Sequence, residues 1–172
     1  MNKAGSTQAL DHRTVAIELN QRAWALLEKQ DRTLEDNDEL LHAAHASLWH
    51  WLQVGTKRNE QRGLWLVGRV HVLQGNKEAA MRYAKKTMTL TTSNEEDMVD
   101  FDHAYAYELF ARATFLAGEK DKAEGLFERA SRLGQLIHGE QNRKIFFSDL
   151  EAIPYPKLQV FEYTQRNSAK SP

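Results

Sequence analysis

The sequence predicts an all-α protein, and three observations support this. Proline occurs only at positions 154, 156 and 172, so no proline ring interrupts a helix before residue 154. The helix-favouring residues Ala, Leu, Glu, Lys, Arg and Gln dominate, while β-branched residues are scattered. Period-two alternation of apolar and polar residues, which is typical of strands, is missing from the first 150 residues. We therefore expect about seven antiparallel helices in a right-handed stack.

Glycine, asparagine and aspartate residues divide the chain into helices of ordinary length. Asp31 and Thr33 supply capping groups before the second helix, and acidic residues follow Asn94 at the start of the fifth. The predicted helices are Asp11–Lys29, Leu34–Val54, Lys57–Gln74, Lys77–Thr91, Asn94–Ala117, Lys120–His138 and Gln141–Ile153.

Glycine closes four of these helices in the prediction. Gly55, Gly75, Gly118 and Gly139 each follow a helical segment, where a left-handed residue can end the last turn without a Cβ clash. The connections are short, so consecutive helices must run antiparallel, and the expected unit is the helical hairpin.

Length and composition limit the possible classes of function. The chain has 172 residues, no cysteine and a formal net charge of -1. Disulfides, zinc–thiolate sites and thiol catalysis are therefore excluded, and neither nucleic acid nor a membrane is an expected partner. We expect one cytoplasmic domain over residues 1–172, with residues 1–10 disordered and residues 154–172 forming a non-helical tail.

An internal repeat appears when the sequence is compared with itself at an offset of 43 residues. The offset aligns the segment Leu73–Lys77 with Leu116–Lys120, so that glycine falls on glycine at each turn. Further along, Ala80 aligns with Ala123, and both alanines would let the second helix of a hairpin approach the first closely. Two copies of one helical hairpin are therefore predicted.

These hairpins resemble the tetratricopeptide repeat. The second copy has the small and large residues of that pattern in order, at Ala111, Gly118, Ala123, Phe127 and Ala130. The first copy departs from it, because Ala84 and Thr87 stand where an aromatic residue and an alanine are usual. The resemblance implies a stack of helical hairpins whose inner helices line a concave groove.

A second resemblance covers about residues 40–150 and is to bacterial tetratricopeptide-like proteins with no assigned function. It is carried by His42-Ala-Ala-His45-Ala-Ser, Trp49-His-Trp51 and Asp100-Phe-Asp102. This resemblance supports the fold and implies no chemistry.

The third predicted helix is apolar on nearly all of its faces. Its exceptions, Arg62 and Arg69, lie on one stripe of the helix. Together with the matching stripe of the second copy it gives a candidate groove, which would suit a carboxylate, an acidic peptide or a small anion. The groove residues are Arg62, Trp65, Arg69, Tyr105, Glu108 and Arg112. In the alternative interpretation Glu108 pairs with Arg69 across helices and with Arg112 at i,i+4, which leaves no charge free.

Histidines and acids form a secondary candidate cluster. Glu39 precedes His42, and Asp100 precedes His103, at the i,i+3 spacing that builds metal sites in helical bundles. The cluster consists of His42, His45, Trp49, Asp102 and His103. We find no further bridging carboxylates by spacing and predict no metal; the alternative is that His42 and His45 pack at a helix crossing, as His71 is expected to do.

The favoured function is a non-enzymatic interaction module that binds a peptide, a protein or a small anion in its groove. The serines lie in no nucleophile elbow, no Gly-rich phosphate loop follows a strand, and we expect no cofactor. The alternative function is small-molecule or metal binding by the histidine cluster. A homodimer formed through the alternating segment Lys157–Tyr163 or through the outer helix faces is a third possibility, although that segment could instead cap the last hairpin.

Overall fold

A computed structural model describes residues 10–152, and this part of the chain is 84% helical and has no strands. The bounds of the helices are α1 His12–Glu28, α2 Leu34–Val54, α3 Lys57–Leu73, α4 Lys77–Ser93, α5 Asp100–Leu116, α6 Lys120–Gln135 and α7 Glu140–Glu151. The predicted all-α class and the number of helices are confirmed. None of the described helices is long and apolar enough to cross a membrane.

Consecutive helices pack against each other as hairpins, and the hairpins lie side by side. Each helix contacts the next one along the chain, while α3 also contacts α5, and α5 contacts α7. We call α1, α3, α5 and α7 the inner row and α2, α4 and α6 the outer row. Alanines such as Ala80, Ala104 and Ala111 are fully buried between the rows, where their small side chains permit close helix approach.

The two predicted hairpin copies bend in the same way. Gly75 and Gly118 both adopt positive φ, at 71° and 93°. The amide that follows each glycine bonds back to an equivalent carbonyl, Asn76 to His71 at 2.9 Å and Glu119 to Thr114 at 3.1 Å. This is the hydrogen-bonding pattern that closes a helix on a left-handed glycine. The predicted turns at these two glycines are confirmed. The prediction that Gly139 closes the sixth helix is wrong: its φ is 84°, but α6 already ends at Gln135, and Gly139 is the residue that caps the start of α7.

The prediction for Gly55 is wrong in its geometry. Gly55 ends α2 with φ −87° and ψ 177°, which is extended rather than left-handed backbone. Thr56 directly follows and caps α3, so the chain enters the next helix without a left-handed turn. Glycine is required here by space instead, because a Cβ would lie 2.6 Å from the carbonyl oxygen of Trp51.

The predicted start of the fifth helix at Asn94 is also wrong. A short 3-10 helix, Glu95–Asp97, separates α4 from α5, which begins only at Asp100. The reason is a local cap: the Asp102 carboxylate accepts a hydrogen bond from the Val99 amide at 3.0 Å, which fixes the start of α5. The acids after Asn94 suit the start of either helix, and the sequence does not distinguish the two.

The other predicted helix ends agree with the structure to within three residues. Predictions about residues 1–9 and 153–172 lie outside the described residues. They include the disordered amino terminus, the last predicted helical residue Ile153, the tail at 154–172 and the segment Lys157–Tyr163.

Candidate functional site

The inner row is linked by a ladder of aromatic rings, one from each helix. Trp24 of α1 stacks on Trp65 of α3, with ring centroids 5.6 Å apart. Trp65 meets Tyr105 of α5 edge-on at 5.0 Å, and Tyr105 meets Phe146 of α7 at 5.0 Å. Such edge-to-face contacts suit the quadrupoles of the rings. We call these four residues the aromatic ladder, and it places the predicted groove residues Trp65 and Tyr105 side by side.

A buried hydrogen-bond network lies against the ladder. The carboxylate of Glu108 is fully buried and accepts from the Trp65 indole N–H at 3.1 Å and from the Arg112 guanidinium. Arg112 also donates to the backbone carbonyl of Asp149, and the Tyr105 hydroxyl donates to the Asp149 carboxylate at 2.6 Å. These five residues, here called the Glu108 network, tie α3, α5 and α7 together.

Tyr105 is held as a neutral hydrogen-bond donor by this environment. Burial raises the pKa of its hydroxyl, and the hydrogen bond to Asp149 raises it further. The negative charges of Asp149 and Glu108 act in the same direction, and Arg112 opposes them. Tyr105 therefore serves the network as an O–H donor and not as a phenolate.

Arg69 lies beside the network but is not a hydrogen-bonded member of it. Within residues 10–152 its guanidinium has no hydrogen bond or ion pair, although the side chain is partly buried. Burial lowers the pKa of Arg69, and the like charge of Arg112 lowers it further, while Glu108 and Asp149 partly compensate. Of the two ion pairs in the alternative interpretation, Arg112–Glu108 is therefore formed, and Arg69–Glu108 is not.

Arg62, the remaining groove residue, is occupied by a second ion pair. Its Nε lies 2.6 Å from Oδ1 of the buried Asp102 carboxylate, and its guanidinium lies over the Phe101 ring at 5.6 Å. Arg58, one turn earlier on α3, reaches the other oxygen of Asp102 at 3.5 Å. About half of the Arg62 side chain stays exposed, so this pair lies at the edge of the inner row.

The residues of the secondary cluster do not share a site. His42 is exposed, Asp102 pairs with Arg62, and Trp49 lies with its ring against His50. His45 packs edge-on against His71 and Tyr83, at 5.8 and 5.7 Å. Of the described residues, no three or more His, Asp or Glu side chains are grouped so that they could hold a metal ion. His103 is partly buried on α5.

His71 occupies a helix interface, as predicted. The residue is 7% exposed, its ring stacks on Tyr83 of α4 at 5.5 Å, and its Nδ1 has no hydrogen-bond partner in residues 10–152. Burial lowers the pKa of His71, followed by the positive charges of His45 and Arg82. The pKa of His45 is lowered by burial and by Arg82 and His42. Neutral imidazoles are therefore favoured at this interface.

Sequence analysis missed half of the ladder and one member of the network. Trp24, Phe146 and Asp149 were not predicted as site residues. A signal for the first two exists, because Trp24, Trp65, Tyr105 and Phe146 follow one another at intervals of 40 or 41 residues. Asp149 carries no such signal, since its role depends on how α7 packs against α5.

No family model, no curated protein and no solved structure matches this chain. The resemblance to tetratricopeptide repeats accordingly stays a prediction from the residues, and the function is argued below from the inner row alone.

Proposed function

We propose that the chain is a non-enzymatic helical-repeat module that binds a protein or peptide partner along its inner row. One observation carries the proposal. A continuous aromatic ladder, buried at Trp65, Tyr105 and Phe146, holds the four inner helices together, and beside it lies Arg69, which has no hydrogen bond or ion pair within residues 10–152. Arginine and tryptophan are enriched where proteins bind one another, and Trp24 is the ladder residue that is partly exposed.

The Glu108 network supports this proposal because it fixes the position of the ladder. Trp65, Tyr105 and Arg112 each have a hydrogen-bond partner on a neighbouring inner helix or on α5 itself. A partner that binds along the row would meet a surface that is already ordered, and less conformational entropy is lost on binding to such a surface. The network residues are thus assigned to positioning, and contact with the partner falls to their more exposed neighbours.

Arg58, Arg62 and Arg69 give the α3 side of the row a basic edge. Arg58 and Arg62 share one carboxylate, that of Asp102, so positive charge is in excess at this position. An acidic or carboxylate-bearing partner is therefore the best match by charge. We also propose that the protein is cytoplasmic, because a domain without cysteine needs no oxidising compartment to fold.

A site-specific crosslinker tests this function. A benzophenone amino acid replaces Arg62 on the inner row in one variant and the exposed Lys85 of the outer helix α4 in a matched control. Both are irradiated in extract from the source organism, and adducts are identified by mass spectrometry. We expect a discrete adduct at position 62 that is absent at position 85; an adduct at twice the chain mass would identify a second copy as the partner. Equal labelling at both positions, or none, would refute the proposal.

A further inference from the structure

Three of the four inner helices leave a large apolar side chain exposed or partly exposed next to the aromatic ladder. Ile145 is 44% exposed, and the other two side chains are partly buried. We call this set the inner apolar face, and it consists of Trp24 on α1, Phe101 on α5 and Ile145 on α7. Apolar groups that recur on successive helices indicate a binding surface more strongly than exposed apolar residues scattered singly.

Contacts with the ladder place these three side chains on one side of the stack. Trp24 is itself the ladder residue of α1, and the Phe101 ring lies 4.4 Å from that of Tyr105. Ile145 comes one turn before Asp149, whose carboxylate accepts from the Tyr105 hydroxyl, and residues one turn apart share a helix face. The inner apolar face therefore follows the ladder from α1 to α7.

The chain leaves the described residues beside this face. α7 ends at Glu151, only two residues after Asp149, which bonds to the ladder at 2.6 Å. The continuation from residue 153 therefore starts next to the inner row. Its first part is rich in large apolar side chains, namely Tyr155, Leu158, Val160, Phe161 and Tyr163.

We propose that residues 155–163 of the same chain bind to the inner apolar face and cover it until a partner displaces them. The inference rests on the proposed function, because it states how access to the inner row is regulated. Residues 153–163 span up to about 36 Å when extended. Crossing from α7 to α1 takes three helix spacings, or about 24–30 Å, so the segment is long enough to reach Trp24.

A tethered segment needs little intrinsic affinity to fill the face. Its attachment to α7 gives it an effective concentration on the order of millimolar, so burial of a few apolar side chains is sufficient. Residues 153–172 carry three basic side chains and one acidic side chain, which is a poor match for the basic edge of the inner row. An acidic partner matches that edge better and would displace the segment.

A single spin label tests this arrangement in the full-length chain. The sequence has no cysteine, so Thr164→Cys gives one attachment site directly after the apolar segment. The indole N–H resonances of Trp24 and Trp49 are compared by NMR with the nitroxide oxidised and reduced. Trp49, which is 53% exposed on the outer helix α2, is the internal control. We expect the oxidised label to remove most of the Trp24 intensity and to leave Trp49 unchanged.

Four variants of the labelled chain test whether apolar contact holds the segment in place. Phe161→Ser in the segment and Ile145→Ser on α7 should each restore most of the Trp24 intensity. The matched changes Gln165→Ser and Leu52→Ser, the latter at a side chain 52% exposed on α2, should not restore it. Circular dichroism checks that each variant keeps the helical content of the parent chain.

Three results would overturn the proposal. If Trp24 keeps its intensity, the segment does not reach the inner row, and broadening confined to α6 and α7 would show that it caps the last hairpin instead. Equal losses at Trp24 and Trp49 would show that the segment has no fixed site. If the broadening occurs only between a spin-labelled chain and a second, isotope-labelled copy, the face belongs to a second copy. In each case the crosslinking experiment at position 62 still tests the interaction module independently.

Discussion

Glu108→Gln is the sharpest test of how the inner row is held together. The substitution keeps nearly the same volume and an oxygen that can accept from the Trp65 indole, but it removes the negative charge beside Arg112. Arg112 is only 4% exposed and has no other carboxylate within ion-pair distance among the described residues. The variant therefore leaves a buried guanidinium without its counter-charge.

The expected cost follows from that burial. Removing one partner of a buried ion pair costs about 3–5 kcal/mol, because the remaining charge stays desolvated. The matched control is Glu39→Gln, whose partner Arg22 is about half exposed and hydrated, so the loss of stability there should be much smaller than for Glu108→Gln. Adding Arg112→Met to Glu108→Gln removes the stranded charge and should recover about 2 kcal/mol of the loss.

Urea unfolding followed by circular dichroism measures all of these variants. The free energy of unfolding is compared at constant m-value, so that changes in the unfolded state are detected separately. If Glu108→Gln costs no more than Glu39→Gln, Arg112 does not depend on the Glu108 charge, and the description of the network as a buried, charge-paired unit is refuted. Failure of the double variant to recover stability would point to lost packing instead.

Two further predictions concern the packing of α3. Because the pKa values of His45 and His71 are lowered in the folded chain, the unfolded chain binds more protons near pH 6. The free energy of unfolding should therefore fall as the pH drops below 6.5, by up to about 1.4 kcal/mol per pH unit for each histidine. The His71→Phe variant should show a weaker pH dependence of this free energy. A similar slope with and without His71 would contradict the prediction. A Cβ at Gly68 would lie 2.7 Å from Leu109 Cδ2, so Gly68→Ala should destabilise the protein by about 1–3 kcal/mol. A Cβ at Gly125 would meet nothing within 4 Å, so Gly125→Ala should stabilise it by up to about 1 kcal/mol. Thermal melts in which both variants shift the melting temperature in the same direction would contradict this prediction.

The fold was predictable because helix signals in this chain are local. Proline placement, helix-favouring composition and the glycines at 75 and 118 depend on neighbouring residues alone. The errors at Gly55 and Asn94 occurred where local signals are ambiguous. Gly55 suits either a left-handed turn or a close approach to Trp51, and the acids after Asn94 suit either helix start until Asp102 is seen to cap α5.

The candidate site was less predictable, because its pairing depends on contacts between helices. The hydrogen bonds from Tyr105 and Arg112 to Asp149 exist only because α7 packs on α5, and no spacing rule relates residues 37 or 44 positions apart. The exposure of Arg62 and the burial of Arg112 likewise follow from the stack, although both are arginines on inner helices.

The difference between Arg69 and Arg112 can nevertheless be traced to the sequence. The two arginines are equivalent at the 43-residue offset, and so are the residues one turn before them, Trp65 and Glu108. Arg112 therefore has an acid at i−4 to pair with, while Arg69 has an indole in the same place, and that indole bonds across to Glu108. One carboxylate thus serves both copies of the hairpin, and within residues 10–152 the arginine of the first copy has no hydrogen-bonded acid of its own.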